Sequence, residues 1–143
     1  MKCKWLLAIA AAVFLSALPA LGQNKEANIT PPANFKKVST LVHLPDWLPG
    51  LGTLYVDPAS LPVGPYLGYN HSGHLVNLTY MISSKDLNEQ KNFDNLGAEI
   101  AHSGMKVDHT SVDYNPGHPG LQEPHYHITE WFITPAQEKE EMK

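Results

Sequence analysis

The chain has 143 residues, with 10 lysines, 14 acidic residues, eight histidines and a formal net charge of −4. It contains no arginine, and this acidic composition argues against nucleic acid and against anionic membrane surfaces, since both attract basic patches. The single cysteine is Cys3, so histidines and carboxylates are the strong metal ligands that the rest of the chain can offer.

The first 22 residues have the pattern of a secretory signal peptide. Lys2 and Lys4 precede the apolar run WLLAIAAAVFL, and the following segment SALPALG ends in small residues. The apolar run is shorter than the roughly 20 residues that a membrane span needs. We therefore expect residues 1–22 to be removed on export, which leaves a periplasmic or extracellular protein without disulfides. Such a protein depends on packing, self-association or a bound metal for stability.

The remaining chain predicts one domain with polar ends. Residues 23–37 contain the string TPPANFKK and indicate a flexible lead-in. A single compact domain is expected over residues 38–134. Residues 135–143, PAQEKEEMK, form a charged tail that is either frayed or a short exposed helix.

Strands dominate the predicted domain. STLVHL and GTLYVDP indicate two strands, and PYLGY and HLVNLTYMI flank the turn NHSG, which predicts a β-hairpin closed by a left-handed glycine. SSKDLNEQKNFDNLGAEI predicts one main helix, which Ser83 caps with Asp86 three residues later. VDHTSVDY and HYHITEWFI indicate two further strands. The predicted fold class is α+β, an antiparallel sheet of five to six strands that is either open or a partial barrel.

The segment NPGHPGLQEPHYHITEWF places three histidines within ten positions. His125 and His127 point to the same side of a strand because side chains alternate, and their spacing lets two imidazoles converge on one ion. His118 lies in a turn stiffened by two prolines and two glycines, which can hold a third imidazole. His109 is on the preceding strand and reaches the same face if the two strands pair.

This constellation predicts a site for a divalent transition metal, with zinc as the first choice and copper, nickel or iron as alternatives. The predicted ligands are His118, His125, His127 and His109. The histidines at positions 43, 71, 74 and 102 are expected to lie outside the site. The alternative is a sheet edge without any ligand, whose histidines stack on the neighbouring Tyr126, Trp131 and Phe132.

Acidic residues near the histidines can support metal ligands by accepting a proton from the ring nitrogen that faces away from the ion. The residues in range for this role are Asp108, Asp113, Glu123 and Glu130. Glu130 has the opposite strand parity to His127, so we do not expect it to bind the metal directly.

Several strings in the chain are specific enough to compare with known families. LPGLGTLYVDPASLPVGPYLGY, DLNEQKNFDNL, VDH and NPGHPG with EPHYH extend over residues 41–132. Together they resemble a small family of exported bacterial domains of unknown function, typified by a Thermus protein under an extracytoplasmic-stress sigma factor. The resemblance implies export, a small α+β domain and self-association, and it brings no settled activity.

The histidine segment also resembles the pattern of this family, which is Asn-Pro-x-Gly-His followed by Pro-His-aromatic-Asp-x-His. The positions that match are Asn115, Pro116, His118, Pro124, His125 and Tyr126, although the turn before His118 is shorter than in the family pattern. His127 stands where the family has Asp, and Thr129 stands where it has its later His. This departure implies either a changed set of ligands or a lost site.

Three functions follow from these patterns. The first is an exported, non-catalytic metal-binding domain. The second is a metal-dependent hydrolase, in which an ion with an open position lowers the pKa of bound water toward 7 and Asp108, Asp113 or Glu130 acts as general base. The third is a structural or sensory homo-oligomer. Its exposed aromatic strands at residues 66–69 and 126–132 form the subunit contacts, and its histidines tune assembly with pH. A pocket at the ion favours an enzyme, a closed shell favours a binder, and an apolar interface favours an assembly.

Overall fold

The computed structural model describes residues 28–101 and 103–143. The predicted signal peptide, the first part of the lead-in and His102 lie outside these residues. The strands are β1 (Lys36–Lys37), β2 (Thr53–Val56), β3 (Tyr66–Tyr69), β4 (Leu75–Ser83), β5 (His109–Asn115) and β6 (His125–Trp131). The α-helices are α1 (Ser84–Asn88) and α2 (Pro135–Glu141), and 3-10 turns form at Val38–Thr40, Pro58–Ser60 and Ala98–Ile100.

The six strands form one antiparallel sheet in the order β1-β2-β3-β4-β6-β5. β4 is the longest strand, and it pairs with β3 on one side and with β6 on the other. β1 and β5 are the edges of the sheet, and within the described residues they do not pair with each other. The fold class is therefore α+β made mostly of sheet, as predicted, and the sheet is open rather than a closed barrel.

The β3–β4 hairpin has the predicted turn. The Asn70 N–H donates to the His74 carbonyl, and the Gly73 N–H donates to the Asn70 carbonyl, both at 3.0 Å. Gly73 has a φ of +78°, a left-handed conformation that glycine adopts without a steric cost. The Asn70 side chain also accepts hydrogen bonds from the amides of Ser72 and His74. This hairpin supplies the central strand against which β6 aligns.

The prediction of a strand at STLVHL is wrong. Val38–Thr40 forms a 3-10 turn instead, and the two residues before it, Lys36–Lys37, make the edge strand. The Val42 N–H donates to the Val38 carbonyl at 3.0 Å, which places these two valines on the same side of the turn. Val38 is buried, so the segment covers one face of the sheet rather than extending its edge.

The predicted helix begins at its expected cap but is shorter than the sequence indicated. The Ser83 hydroxyl accepts a hydrogen bond from the Asp86 N–H at 2.9 Å, as an N-cap does. The helix α1 ends at Asn88, and Gln90 then adopts a left-handed φ of +57°. The later apolar residues Phe93 and Ile100 still pack against the core. Leu96, which lies between them in sequence, is exposed, so these apolar residues do not form the single buried stripe of a continuous helix.

Each face of the sheet carries its own apolar cluster. One face holds Leu67, Tyr69, Leu75, Leu78, Tyr80, Ile82 and Phe132. The opposite face holds Val38, Leu54, Val56 and Tyr66, with Met81 packed beside them. In the β4–β6 register Met81 is the partner of His127 and Ser83 is the partner of His125, so both histidines belong to this second face. We call it the histidine face, and the segment 38–52 covers it.

The charged C-terminal segment forms a docked helix. Thr134 and Gln137 make a reciprocal capping box at the start of α2. Met142, just after the helix, is buried, and the Trp47 indole donates to the Lys143 carbonyl at 3.0 Å. These contacts tie the end of the chain to the segment 38–52. None of the helices in the described ranges is long and apolar enough to cross a membrane.

The aromatic residues expected at subunit contacts are mostly core residues. Tyr66, Tyr69, Trp131 and Phe132 are each exposed by only 2–4%. The expectation that they lie exposed on the surface is therefore wrong. The exposed apolar side chains of the sheet are on β5 instead, where Val112 is 62% exposed and Tyr114 is 58% exposed. The difference arises because β6 is an inner strand and β5 is the edge.

Candidate metal centre

The connection between β5 and β6 is a tight turn that fixes His118. The Asn115 side-chain oxygen accepts a hydrogen bond from the Gly117 N–H at 2.9 Å. His118 and Leu121 then exchange backbone hydrogen bonds of 2.9 and 3.0 Å. Gly117 has a φ of +126°, and a Cβ at this position would collide with the Gln122 carbonyl. Glycine is therefore required for the turn that directs His118 back toward the sheet.

β6 brings the other two imidazoles to the same place. His125 lies opposite Asn115 on β5, and His127 lies opposite Asp113. The two histidines share one side of the strand, as their spacing predicted. His125 is completely buried, whereas His127 and His118 are half-buried. The side of the cluster at His125 is therefore buried. The side at His118 and His127, which we call the front, is partly exposed to solvent.

The three rings are close enough to share one ion. The ring centroids of His125 and His127 are 4.9 Å apart, and those of His118 lie 4.9 Å from His125 and 5.7 Å from His127. The Nε2 atoms of His125 and His127 are 3.0 Å apart. One nitrogen from each ring can be chosen so that all three lie within 4.8 Å. Tetrahedral zinc separates its nitrogen ligands by about 3.3 Å, so the three rings would have to move slightly closer together to hold one ion.

Backbone carbonyls orient two of the rings. The Nδ1 atom of His118 lies 2.9 Å from the Pro119 carbonyl, and that of His125 lies 2.8 Å from the Glu123 carbonyl. We assign the Nδ1–H tautomer to both rings because a carbonyl can only accept. Each ring then presents its Nε2 lone pair, which is the arrangement that holds metal-binding histidines in place. Glu123 therefore supports the cluster through its backbone.

Burial lowers the pKa of His127 to about 4. The imidazoles of His125 and His118 add to this decrease, because a second positive charge beside them is unfavourable, and Asp113 opposes it. The His127 ring is therefore neutral near pH 7. A metal ion would not have to displace a proton from this ring at that pH.

The structure does not bring His109 to the cluster. It is the register partner of Trp131, which lies four residues from His127 and therefore about 13 Å along β6. Its Nδ1 lies 3.1 Å from Asp108 and its Nε2 lies 3.2 Å from Glu138. The strands pair and the face is shared, as the sequence suggested. The antiparallel register nevertheless puts the proposed fourth ligand at the other end of β5.

The acidic residues that the sequence predicted near the histidines lie at different places in the structure. Asp113 is the register partner of His127 and acts electrostatically on its ring. Asp108 contacts His109 instead. Glu130 lies on the face opposite the histidines, where its carboxylate faces Gly97, as its strand parity predicted. Among these residues Asp113 is therefore the carboxylate that adjoins the cluster.

An apolar pocket opens beside the histidines. Its volume is about 240 Å³, and both His118 and His127 form part of its wall. The segment 38–52 supplies one side, and the histidine face of the sheet supplies the other. The sequence patterns do not predict this pocket, because STLVHL indicates a strand rather than a segment that covers the sheet. The available signal was an apolar-rich stretch with neither strand nor helix period, interrupted by prolines.

Neither a protein-family model nor a curated protein sequence matches the chain. A solved structure does: the crystal structure of the hypothetical protein TTHB210 from Thermus thermophilus superposes with a TM-score of 0.63. The two sequences are 40% identical over 69% of this chain and 93% of the Thermus chain. This confirms the resemblance to a Thermus protein that the sequence strings suggested. The chain belongs to the family of this hypothetical Thermus protein.

Proposed function

We propose that this domain binds one divalent transition metal ion, with zinc as the first choice, through His118, His125 and His127. The observation that carries the proposal is the 3.0 Å approach of the His125 and His127 Nε2 atoms, with the His118 ring beside both. Two nitrogens at this distance need a shared proton or a shared cation between them. The carbonyl partners of His118 and His125 occupy the other nitrogen of each ring.

Three nitrogen ligands with a half-exposed front suit zinc that keeps an exchangeable fourth position. Copper, nickel and iron accept the same ligands and are the alternatives. The proposal includes export to the periplasm or beyond, which the N-terminal pattern around Lys2, Lys4 and the apolar run supports. It includes no nucleic-acid partner, because the chain is acidic and lacks arginine.

Metal analysis tests this proposal directly. Purified protein is treated with chelator, reloaded with zinc, desalted and analysed by mass spectrometry of the metal. We expect one zinc ion per chain, and none in the double variant His125→Ala plus His127→Ala. His118→Ala, in the half-buried turn, gives a second test if the double variant misfolds. His43→Ala, an exposed residue outside the cluster, should retain the metal. The proposal would be contradicted if the wild-type protein took up no zinc. It would also be contradicted if the folded histidine-to-alanine variants bound as much zinc as the wild type.

A second candidate function, self-association, is favoured by the edge strand β5. Within the described residues β5 pairs with β6 alone, and Val112 and Tyr114 are its exposed apolar side chains. An exposed strand edge with apolar side chains is a template for pairing with another chain. We propose that copies associate through β5, in place of the aromatic strands suggested by the sequence.

Light scattering tests self-association, with and without chelator. We expect a molar mass above that of one chain at micromolar concentration. The variant Val112→Lys plus Tyr114→Lys should reduce it to the monomer, because the added charges oppose edge pairing. The variant Leu87→Lys changes an exposed leucine on α1 and is the matched control. A monomeric wild type would end this candidate without affecting the metal proposal.

A further inference from the structure

We propose that the pocket beside the histidines binds a small carboxylate with an apolar tail, and that its carboxylate takes the open position on the metal ion. This inference rests on the proposed metal site and adds the chemical class of its ligand. The pocket and the cluster are continuous, because His118 and His127 belong to both. A molecule lying in the pocket therefore reaches the front of the cluster.

The charge of the loaded site selects an anion. Histidines bind metals as neutral imidazoles, so three of them leave the charge of a divalent ion uncompensated. None of the described residues that line the pocket is an aspartate or a glutamate. The adjoining carboxylate, Asp113, is exposed on the edge strand. A net positive site at the end of an apolar cavity favours an anionic ligand, because the surrounding dielectric is low.

The walls of the pocket select an apolar tail. Val38, Leu44 and Leu48 contribute from the covering segment, and Leu54, Tyr66 and Met81 contribute from the sheet. Leu54 and Tyr66 are buried by their neighbours, so the cavity has a packed floor. A small hydrated anion would leave these surfaces unused. A ligand with a tail instead removes apolar surface from water.

The volume sets the size of the ligand. The pocket measures about 240 Å³, and a water molecule takes up roughly 30 Å³ in the liquid. The space therefore suits about eight non-hydrogen atoms, which is the size of hexanoate. Larger amphiphiles would extend beyond the cavity.

A polar group at the histidine end of the pocket can bind the second carboxylate oxygen. Asn115 lines the pocket, and its side-chain oxygen accepts a hydrogen bond from the Gly117 amide. The amide nitrogen of Asn115 is thus the atom left to donate to a ligand. We assign one carboxylate oxygen to the ion and the other to Asn115. This two-point contact holds the head in one orientation and directs the tail away from the cluster.

The test uses calorimetry on the full protein in two stages. Zinc is titrated first into chelator-treated protein, which tests the metal site alone. The zinc-loaded protein is then titrated with acetate, butyrate, hexanoate and octanoate. We expect each methylene to tighten binding about four-fold, with the gain ending near hexanoate when the pocket is full. Hexan-1-ol, which has the tail without the charge, should bind at least about ten-fold more weakly than hexanoate.

A cobalt-substituted sample reports on the position of the head. Hexanoate should change the visible d–d absorption of bound cobalt, because a carboxylate oxygen enters its coordination shell. Leu48→Phe fills the pocket and should weaken hexanoate binding at least about ten-fold while zinc and acetate binding are retained. Leu44→Phe is a second filling variant if Leu48→Phe does not fold. Leu87→Phe, on the exposed side of α1, is the matched control and should change none of these values.

The outcomes separate the two proposals. Absence of zinc binding in the first stage overturns the metal site and this inference together. Zinc binding with equal affinity for acetate and hexanoate, or with no affinity for either, overturns this inference and leaves the metal site standing. Hexanoate binding without a change in the cobalt spectrum also overturns it, because the head then lies away from the ion.

Discussion

The β5–β6 pair carries histidines at both ends, and their surroundings differ. At the end where a turn joins β5 to β6, which we call the connected end, His118, His125 and His127 face one another. At the opposite end of the strand pair, which we call the open end, His109 lies between two carboxylates, those of Asp108 and Glu138. Its ring also lies parallel to that of Trp131, with centroids 6.0 Å apart. The same residue type on one strand pair thus has two different sets of contacts.

The difference lies in what each ring nitrogen contacts. Both ring nitrogens of His109 face carboxylates, so neither is directed toward the histidine cluster. His118 and His125 each use one nitrogen on a backbone carbonyl and present the other to the cluster. A histidine is therefore suited to bind a metal here because of the partner of its second nitrogen and the direction of its first. The number of histidines close together in the sequence does not decide which of them are suited to bind a metal.

The largest expected effect is on zinc affinity, when one histidine is removed from each end of the strand pair in turn. His118→Ala should lower zinc affinity at least about 100-fold, because it deletes a ligand, and even the loss of a group that only orients a ligand costs up to that amount. His109→Ala should change zinc affinity less than about two-fold, because its ring lies about 13 Å along the strand from the cluster. Competition titration against a chelator of known affinity measures both. Equal losses of zinc affinity in the two variants would show that the two ends do not differ in metal binding.

The turn that holds His118 gives the next largest effect. Gly117→Ala should weaken zinc binding by about 10- to 100-fold, because the methyl group collides with the Gln122 carbonyl and displaces the neighbouring ring. Gly104→Ala is the matched control, since Gly104 also has a positive φ but would meet no atom within 4 Å. Zinc competition and thermal unfolding are measured on both. A wild-type affinity in Gly117→Ala would mean that the turn does not position His118.

The connected end should also make the metal-free protein sensitive to acid. The folded pKa of His127 is about 4 against 6.5 for an unperturbed ring, so the unfolded chain binds more protons between these values. The stability contributed above pH 6.5 is therefore lost as the pH falls toward 4. Urea unfolding of chelator-treated protein across this range measures the loss. His127→Gln should flatten the pH dependence, and an unchanged profile in that variant would assign the effect to other groups.

The open end should give the smallest effect. Glu138→Gln removes a partly exposed carboxylate that contacts His109, so we expect a loss of at most about 1 kcal/mol in the free energy of unfolding. Zinc affinity should remain that of the wild type. Urea unfolding and zinc titration on the same sample check both values. A large change in zinc affinity would show that α2 is coupled to the cluster.

Local patterns predicted much of the sheet. The β3–β4 hairpin follows from a short turn ending in glycine, and the shared side of His125 and His127 follows from the alternation of side chains along a strand. The capping of α1 by Ser83 is likewise local. The strings that resemble the Thermus family led to the family that the comparison with a solved structure shows.

The order of residues alone was therefore enough to predict strands β2 to β6, the α+β class and the three histidines that meet at one point. The distance of His109, the burial of Trp131 and Phe132, and the pocket beside the cluster became known from the folded chain. The physical reason is the distance along the chain between the residues that interact. Alternation and capping depend on neighbouring residues, whereas strand register and the cover provided by the segment 38–52 depend on packing between residues that are far apart in the chain.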